Sequence, residues 1–306
     1  MQQSHKTWRF RTLLAVFALL TASLAVGAAP AFASPAGAVF TLSNDAAGNT
    51  VLVYARAADG TLTQVDEVAT GGLGSGGGLG SQGALTLSDD GRWLLAVNAG
   101  SDSVSLFQVS GTRLHLRDVE DTQGDMPISV DVHGNLAFVV NGGSETIEGF
   151  RLSKSGLTSL PYSERDLSGS GVGPAQIEFS PNGKTLVVTE KAVNQIVIYK
   201  VGHLGWVSEG AASPSSGETP FGFEFDPHGR IVVSEAFGGA PGAGVVSTYR
   251  FNGQNANNLD TEETTQTAAC WIAISQDGSD VYTTNTGSNS VTHLRLHANG
   301  SLTVMD

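Results

Sequence analysis

Cysteine is almost missing from this chain of 306 residues, which holds one, Cys270. No internal disulfide can form, so a disulfide scaffold is excluded and stability must come from a packed core. Basic residues are scarce as well, 16 Lys and Arg against 29 Asp and Glu, for a net charge of −13. An acidic surface repels phosphate backbones and anionic lipid, which argues against nucleic-acid and peripheral membrane partners. After residue 33 no apolar run is long enough to span a bilayer, and no helical 3.6-residue period appears. Metal chemistry lacks a pattern too. His133 and His228 fall in turns, and His293 and His297 lie four apart on what reads as a strand, far from zinc geometry. No metal and no cofactor are expected. There is no G-x-S-x-G. "GLGSGG", from Gly72, fits G-x-G-x-x-G but opens no helix, and reads as a flexible loop rather than a dinucleotide site.

What is present begins with Lys6, Arg9 and Arg11, followed by the apolar "LLAVFALLTASLAVGAA" and an A-x-A at Ala31–Ala33. This is the pattern of a secretory signal peptide, residues 1–33, cleaved after Ala33; the small residues favour it over a membrane anchor. The product is expected to be secreted or at the cell surface, with no membrane attachment after cleavage. It keeps 13 basic residues against 29 acids, a net charge of −16.

Residues 34–306 repeat one phrase. "LLAVNAGSDSVSLF" and "VYTTNTGSNSVTHL" are near copies, with further versions ending a strand at Asn44, Asn141, Glu190 and Glu235. The marker residues Asn44, Asn98, Asn141, Glu190, Glu235 and Asn285 are spaced 54, 43, 49, 45 and 50 apart. β-rich units of that length are typical of propeller blades. Within a unit, an apolar strand leads to a turn such as "SDDG" or "SPNG", where Asp, Asn and Gly supply side-chain hydrogen bonds and positive φ. A second strand, a third such as "QIVIYKV" and a weaker fourth such as "LHLRDV" or "WVSEG" complete it. The fold class is therefore all-β, a β-propeller, with units at about 36–69, 70–121, 122–167, 168–210, 211–266 and 267–306. The first unit enters at "GAVFTL", a second strand, with no inner strand before it.

In a propeller, the loop before each inner strand and the loop after each second strand open on one face. Two residue sets therefore surround one channel mouth. The markers are the first. The second holds Pro127, Ala175 and Gln176, Phe221, and Cys270 with Trp271. Asn98, Asn141 and Asn285 suit tight turns and double as substrate-binding candidates. Glu190 and Glu235 break the pattern, because Glu is a poor turn former and costly near a channel wall without a partner. They are candidate catalytic carboxylates; the other reading is a carboxylate paired with Lys191 or accepting backbone N–H bonds. Lys191, Phe237, Phe221 and Trp271 complete the candidate site. Cys270 reads as a buried structural thiol.

"SPNGKTLVVTEKAVNQIVIYKV", "TPFGFEF", "SEAFGGAPGA" and "ACWIAISQDGSDVYTTNTGSNSV" resemble the lactonase family of seven-bladed propellers, which includes propeller-type 6-phosphogluconolactonases. The likeness is greatest to a secreted actinobacterial-type branch. Relatives with the sugar-lactonase assignment carry Gly-Pro-Arg-His before an inner strand, where this chain has Gly173-Pro174-Ala175-Gln176; the Glu at the end of the next strand is kept as Glu190. Ala175 carries no charge and Gln176 takes no proton, so the resemblance implies a lactone or sugar ligand more than a phosphorylated one. It implies hydrolysis of a small lactone, with Glu190 activating water, Glu235 raising its pKa, and Lys191 or the Asn ring steadying the oxyanion. The alternative is a non-catalytic propeller whose aromatics hold a sugar or a protein partner. The resemblance also implies seven blades, so the expectation is a C-terminally truncated, open arc of about six, with apolar faces such as "LVVT", "IVIY" and "VLVY" in water and poor solubility.

Overall fold

The computed structural model describes residues 36–306. The signal-peptide reading falls on residues 1–33, outside them. The described residues form six antiparallel sheets arranged as propeller blades. Blade 1 has three strands, Gly37–Leu42, Thr50–Arg56 and Leu62–Ala69. Blade 2 runs Leu85–Leu87, Trp93–Asn98, Ser103–Ser110 and Arg113–Asp121. Blade 3 runs Pro127–His133, Leu136–Asn141, Thr146–Ser153 and Gly156–Ser159, and Arg165–Asp166 adds a short pairing to its third strand. Blade 4 is Pro174–Phe179, Thr185–Glu190, Gln195–Lys200 and Ala211–Pro214. Blade 5 is Pro220–Phe225, Ile231–Glu235, Val245–Asn252 and Asn255–Glu263. Blade 6 is Ala269–Ile274, Asp280–Asn285, Ser290–Leu296 and Leu302–Val304. The only helical segments described are two short 3-10 turns.

The repeated turn explains the repeated strand pair. In blade 2, Gly91 N–H donates to Ser88 O at 2.7 Å and Trp93 N–H to Ser88 Oγ at 3.0 Å. Asp90 Oδ1 accepts Arg92 N–H, and Gly91 takes φ 66°, a left-handed angle that a Cβ would strain. Blades 4, 5 and 6 repeat this with Gly183, Gly229 and Gly278. One strand differs from the sequence pattern. "WVSEG" follows the turn His203–Gly205 and makes a single bridge, Val207 to Val201, so the fourth strand of blade 4 starts later, at Ala211.

The core lies between blades rather than within them, because one sheet cannot bury its own faces. Five apolar layers separate consecutive blades; the layer between blades 4 and 5 holds Val187, Ile196, Ile198, Phe223, Ile231, Val233 and Tyr249. The expectation that "LVVT", "IVIY" and "VLVY" face water is corrected here. Leu186, Val188, Ile196 and Ile198 are buried; in "VLVY" Val51 and Val53 are buried while Leu52 and Tyr54, on the other face of blade 1, are half-buried. Blade 6 presents an exposed face, which carries Tyr282 and Val291 with the partly exposed His293.

Candidate functional site at the channel mouth

The six marker positions share one register at or just after the second strand, so they do fall on one face. Asn98, Asn141 and Asn285 are fully buried. They point into their own blades: Asn98 Nδ2 donates to Ser105 Oγ at 2.8 Å and Asn285 Nδ2 to Thr292 Oγ1 at 2.9 Å. Glu235 occupies the same slot, accepting from Ser247 Oγ at 2.6 Å and Tyr249 Oη at 2.5 Å. In blade 4 the matching residue of the third strand is Val197, which has no hydroxyl, and Glu190 turns instead to Ser168, accepting from its N–H at 3.0 Å and from its Oγ. Both glutamates are 0% exposed, and burial pushes both carboxyls up. From the sequence, Glu235 is expected to raise the pKa of Glu190 by charge repulsion. The structure gives a different cause, burial first, with Glu145 the nearby acid that acts on Glu190. These carboxylates tie blade turns together rather than opening onto the mouth.

The mouth is built from Lys191, Phe221 and Trp271. Lys191 Nζ lies 4.8 Å from the centre of the Phe221 ring, and Phe221 meets Trp271 edge to face at 5.6 Å. Burial lowers the Lys191 pKa. Phe237 lies on the turn Phe237–Gly239 next to Gly217 and pairs with neither ring. Cys270 is buried, as its thiol reading expected.

The glycine-rich loop spans the mouth as a strap. Gly80 O accepts from Lys191 Nζ, and Ser81 O accepts from Trp271 Nε1 at 3.0 Å. Ser81 Oγ donates to Ile128 O at 2.8 Å, and Gln82 N–H donates to Ala175 O at 3.0 Å. The Gln82 side chain reaches farthest. Its Oε1 accepts from Ile272 N–H at 2.9 Å, and its Nε2 donates to Ile272 O at 3.1 Å and Phe223 O at 3.3 Å. Three residues, Gly80, Ser81 and Gln82, thus touch blades 3, 4, 5 and 6. Gly83 must be glycine, with φ 79° and a Cβ position 2.7 Å from Ser129 Oγ. Beside the strap is a cavity of about 420 Å³ bounded by Phe40, Leu42, Asn44, Leu79 and Trp271.

Below the strap a channel cavity of about 260 Å³ is lined by Asp131, Glu178 and Glu224, one from each inner strand of blades 3 to 5. Each carboxylate accepts a backbone N–H of the next blade: Asp131 from Phe179 at 2.7 Å, Glu178 from Phe225 at 3.4 Å, and Glu224 from Ile274. Burial pushes all three pKa values up, Asp131 to about 6. Gln176 repeats the role of Gln82: its Oε1 accepts from Phe223 N–H, and its Nε2 donates to Phe223 O and to Glu178 Oε2, at 2.8, 2.8 and 2.9 Å. Sequence reasoning missed Gln82 and all three acids. The shared pattern "VDV", "IEF" and "FEF" was the available signal for the acids. Among the described residues, no three His, Cys, Asp or Glu side chains are grouped to hold a metal ion.

A family model described as a seven-bladed β-propeller lactonase matches residues 31–161 and 155–237. An uncharacterized protein of Lactococcus lactis subsp. cremoris is 29% identical over 188 residues, 58% of this chain and 54% of that protein, so the chain spans about half the length of this curated relative. Among solved structures, a Bacteroides uniformis protein assigned as a 6-phosphogluconolactonase superposes with a TM-score of 0.70 at 14% identity, over 89% of this chain and 82% of the other. The periplasmic gluconolactonase of Pseudomonas aeruginosa gives 0.64 at 17%, over 88% and 82%. Virginiamycin B lyase from Staphylococcus aureus gives 0.56 at 15%, over 87% and 82%. At these identities the likeness is one of fold, and the names differ in chemistry.

Proposed function

The chain belongs to the seven-bladed lactonase β-propeller family, and from that premise we propose that it is a secreted hydrolase opening a small, unphosphorylated sugar lactone at the channel mouth. One observation carries the reading: the two donors of the mouth, Lys191 Nζ and Trp271 Nε1, are held by carbonyl oxygens of a glycine-rich strap. A lactone carbonyl and a sugar hydroxyl have the same acceptor chemistry as Gly80 O and Ser81 O and would replace them. The Phe221–Trp271 pair offers an apolar wall for the sugar ring.

Lys191 would stabilise the oxyanion formed when water adds to the lactone carbonyl. The base is best drawn from the channel carboxylates, with Glu178 oriented by Gln176, because Glu190 and Glu235 are sealed from solvent. Glu178 takes a proton from water, hydroxide adds to the carbonyl carbon, and collapse breaks the ring C–O bond. The leaving alkoxide takes the proton back, giving the open-chain acid. A channel with three carboxylates and no arginine disfavours a phosphorylated substrate. Secretion is supported by the pattern of the first 33 residues.

The test is glucono-1,5-lactone hydrolysis above its spontaneous rate. Lys191→Met is expected to lower kcat by about 10²-fold, the usual scale for one oxyanion donor. Glu178→Gln is expected to lower it by about 10²-fold or more, on the scale of a general base, while Glu190→Gln leaves it near wild type. Saturable sugar binding without turnover in the wild type would favour the non-catalytic propeller, and full activity in Lys191→Met would remove the site.

A further inference from the structure

On the face opposite the mouth, the turns of blades 2 and 3 enclose a cavity of about 510 Å³. Its charged lining is Arg92, Arg117 and Lys154 against a single carboxylate, Asp90. That is three of the 13 basic residues that follow residue 33, gathered in one place on a chain with 29 acids. The neighbouring acids are turned elsewhere. Asp118 Oδ2 accepts from Leu157 N–H at 2.8 Å, and Asp89 lies 3.5 Å from His133 Nδ1. Asp90 pairs with Arg92 at 2.6 Å, which fixes the guanidinium and neutralises one of the three positive charges. Arg117 is oriented by Gln108 Oε1. Lys154 forms no ion pair or side-chain hydrogen bond among the described residues. Trp93 and Leu152 provide an apolar wall, and Asn135 adds an amide.

We propose that this cavity is a second binding site, for a small sugar carrying one anionic group. A fork-shaped guanidinium and a free ammonium recognise a carboxylate or a phosphate. An indole beside amide groups suits a polyol ring, and the volume lies within the range of small-ligand pockets. Nothing in this placement involves the mouth, so binding here and hydrolysis there are separable.

The experiment is calorimetric titration of the full chain with gluconate, glucose 6-phosphate and glucose, in 20 and 300 mM salt. Both anionic sugars are expected to bind and glucose to bind at least about tenfold more weakly, as loss of a charge-assisted contact implies. The carboxylate and phosphate arms then tell which anion fits. Lys154→Glu and Arg117→Gln should each weaken anion binding about tenfold on the same scale. The melting temperature and the rate of lactone hydrolysis should not move. High salt should weaken the wild type in the same direction, which gives a readout without any variant. Glucose binding as tightly as gluconate, no anion binding at 10 mM ligand, or affinity unchanged by Lys154→Glu would each overturn the proposal.

Discussion

Blades 4 and 6 share a backbone and differ in one face. By register, Val187, Ile196 and Ile198 of blade 4 correspond to Tyr282, Val291 and His293 of blade 6. The first three are 0% exposed, packed on Phe223, Ile231 and Val233 of blade 5. Their counterparts Tyr282 and Val291 are 42% and 59% exposed. The side chains there are also different in kind. Tyr282 and His293 stack at 4.8 Å, His293 Nε2 lies 2.7 Å from Asp280 Oδ1, and Arg295 lies 3.3 Å from the same oxygen. The hydrogen-bond ladder makes a blade, and the choice of side chain at one register decides whether its face becomes core. An open face made of a stacked imidazole and ion-paired groups also tolerates water far better than the apolar stretches named from sequence.

The comparison can be broken most directly by truncating matched positions. Ile198→Ala should destabilise by about 2–5 kcal/mol, the loss of a fully buried side chain plus the cavity it leaves. Chemical denaturation measures it, and a loss equal to that of His293→Ala would mean that the two faces are equivalent after all. A second variant tests a polar group inside a buried layer. Glu148 of blade 3 stands where blade 4 has Val197, and its Oε2 has no partner. Burial pushes its carboxyl up to about 7. An unfolded carboxyl titrates near 4.5. Between these values the folded state keeps a proton that the unfolded state has lost, so stability falls as pH rises and levels off above about 7. Asp131 and Glu178 act in the same direction. Glu148→Gln should therefore make the slope shallower and raise stability at pH 8 by about 1–3 kcal/mol. Melting curves at pH 5 and 8 that move in parallel for both proteins would contradict it.

The strap offers an effect of similar size. Gln82→Ala leaves Ile272 N–H and O without their amide partner. The expected cost is about 1–3 kcal/mol, with faster hydrogen exchange at the Ile272 amide than at Ile177, its counterpart in blade 4. Least of all, His293→Ala should cost under about 1 kcal/mol, because its ring and the Asp280 it meets are both partly open to solvent. A larger loss would show that the exposed face of blade 6 carries structure that its solvent access hides.

The sequence by itself determined the blades. Ser-x-Asp-Gly turns close on themselves through hydrogen bonds two to five residues long, and a Gly in the left-handed region suits no other residue as well. Those are local interactions, so they are legible in a row of letters, and the marker spacing then places Lys191, Phe221 and Trp271 at one mouth. Tertiary structure decided where each marker side chain points. Glu235 turns inward because Ser247 and Tyr249 stand on the adjoining strand to receive it, and Glu190 turns to Ser168 because Val197 offers nothing. It also decided that a glycine-rich loop is a strap. Gln82 finds Phe223 and Ile272, 141 and 190 residues away, only once the blades stand around an axis. Glycines leave the loop free to adopt almost any path, so its own letters carry no preference, and the donors and acceptors that hold it belong to other blades.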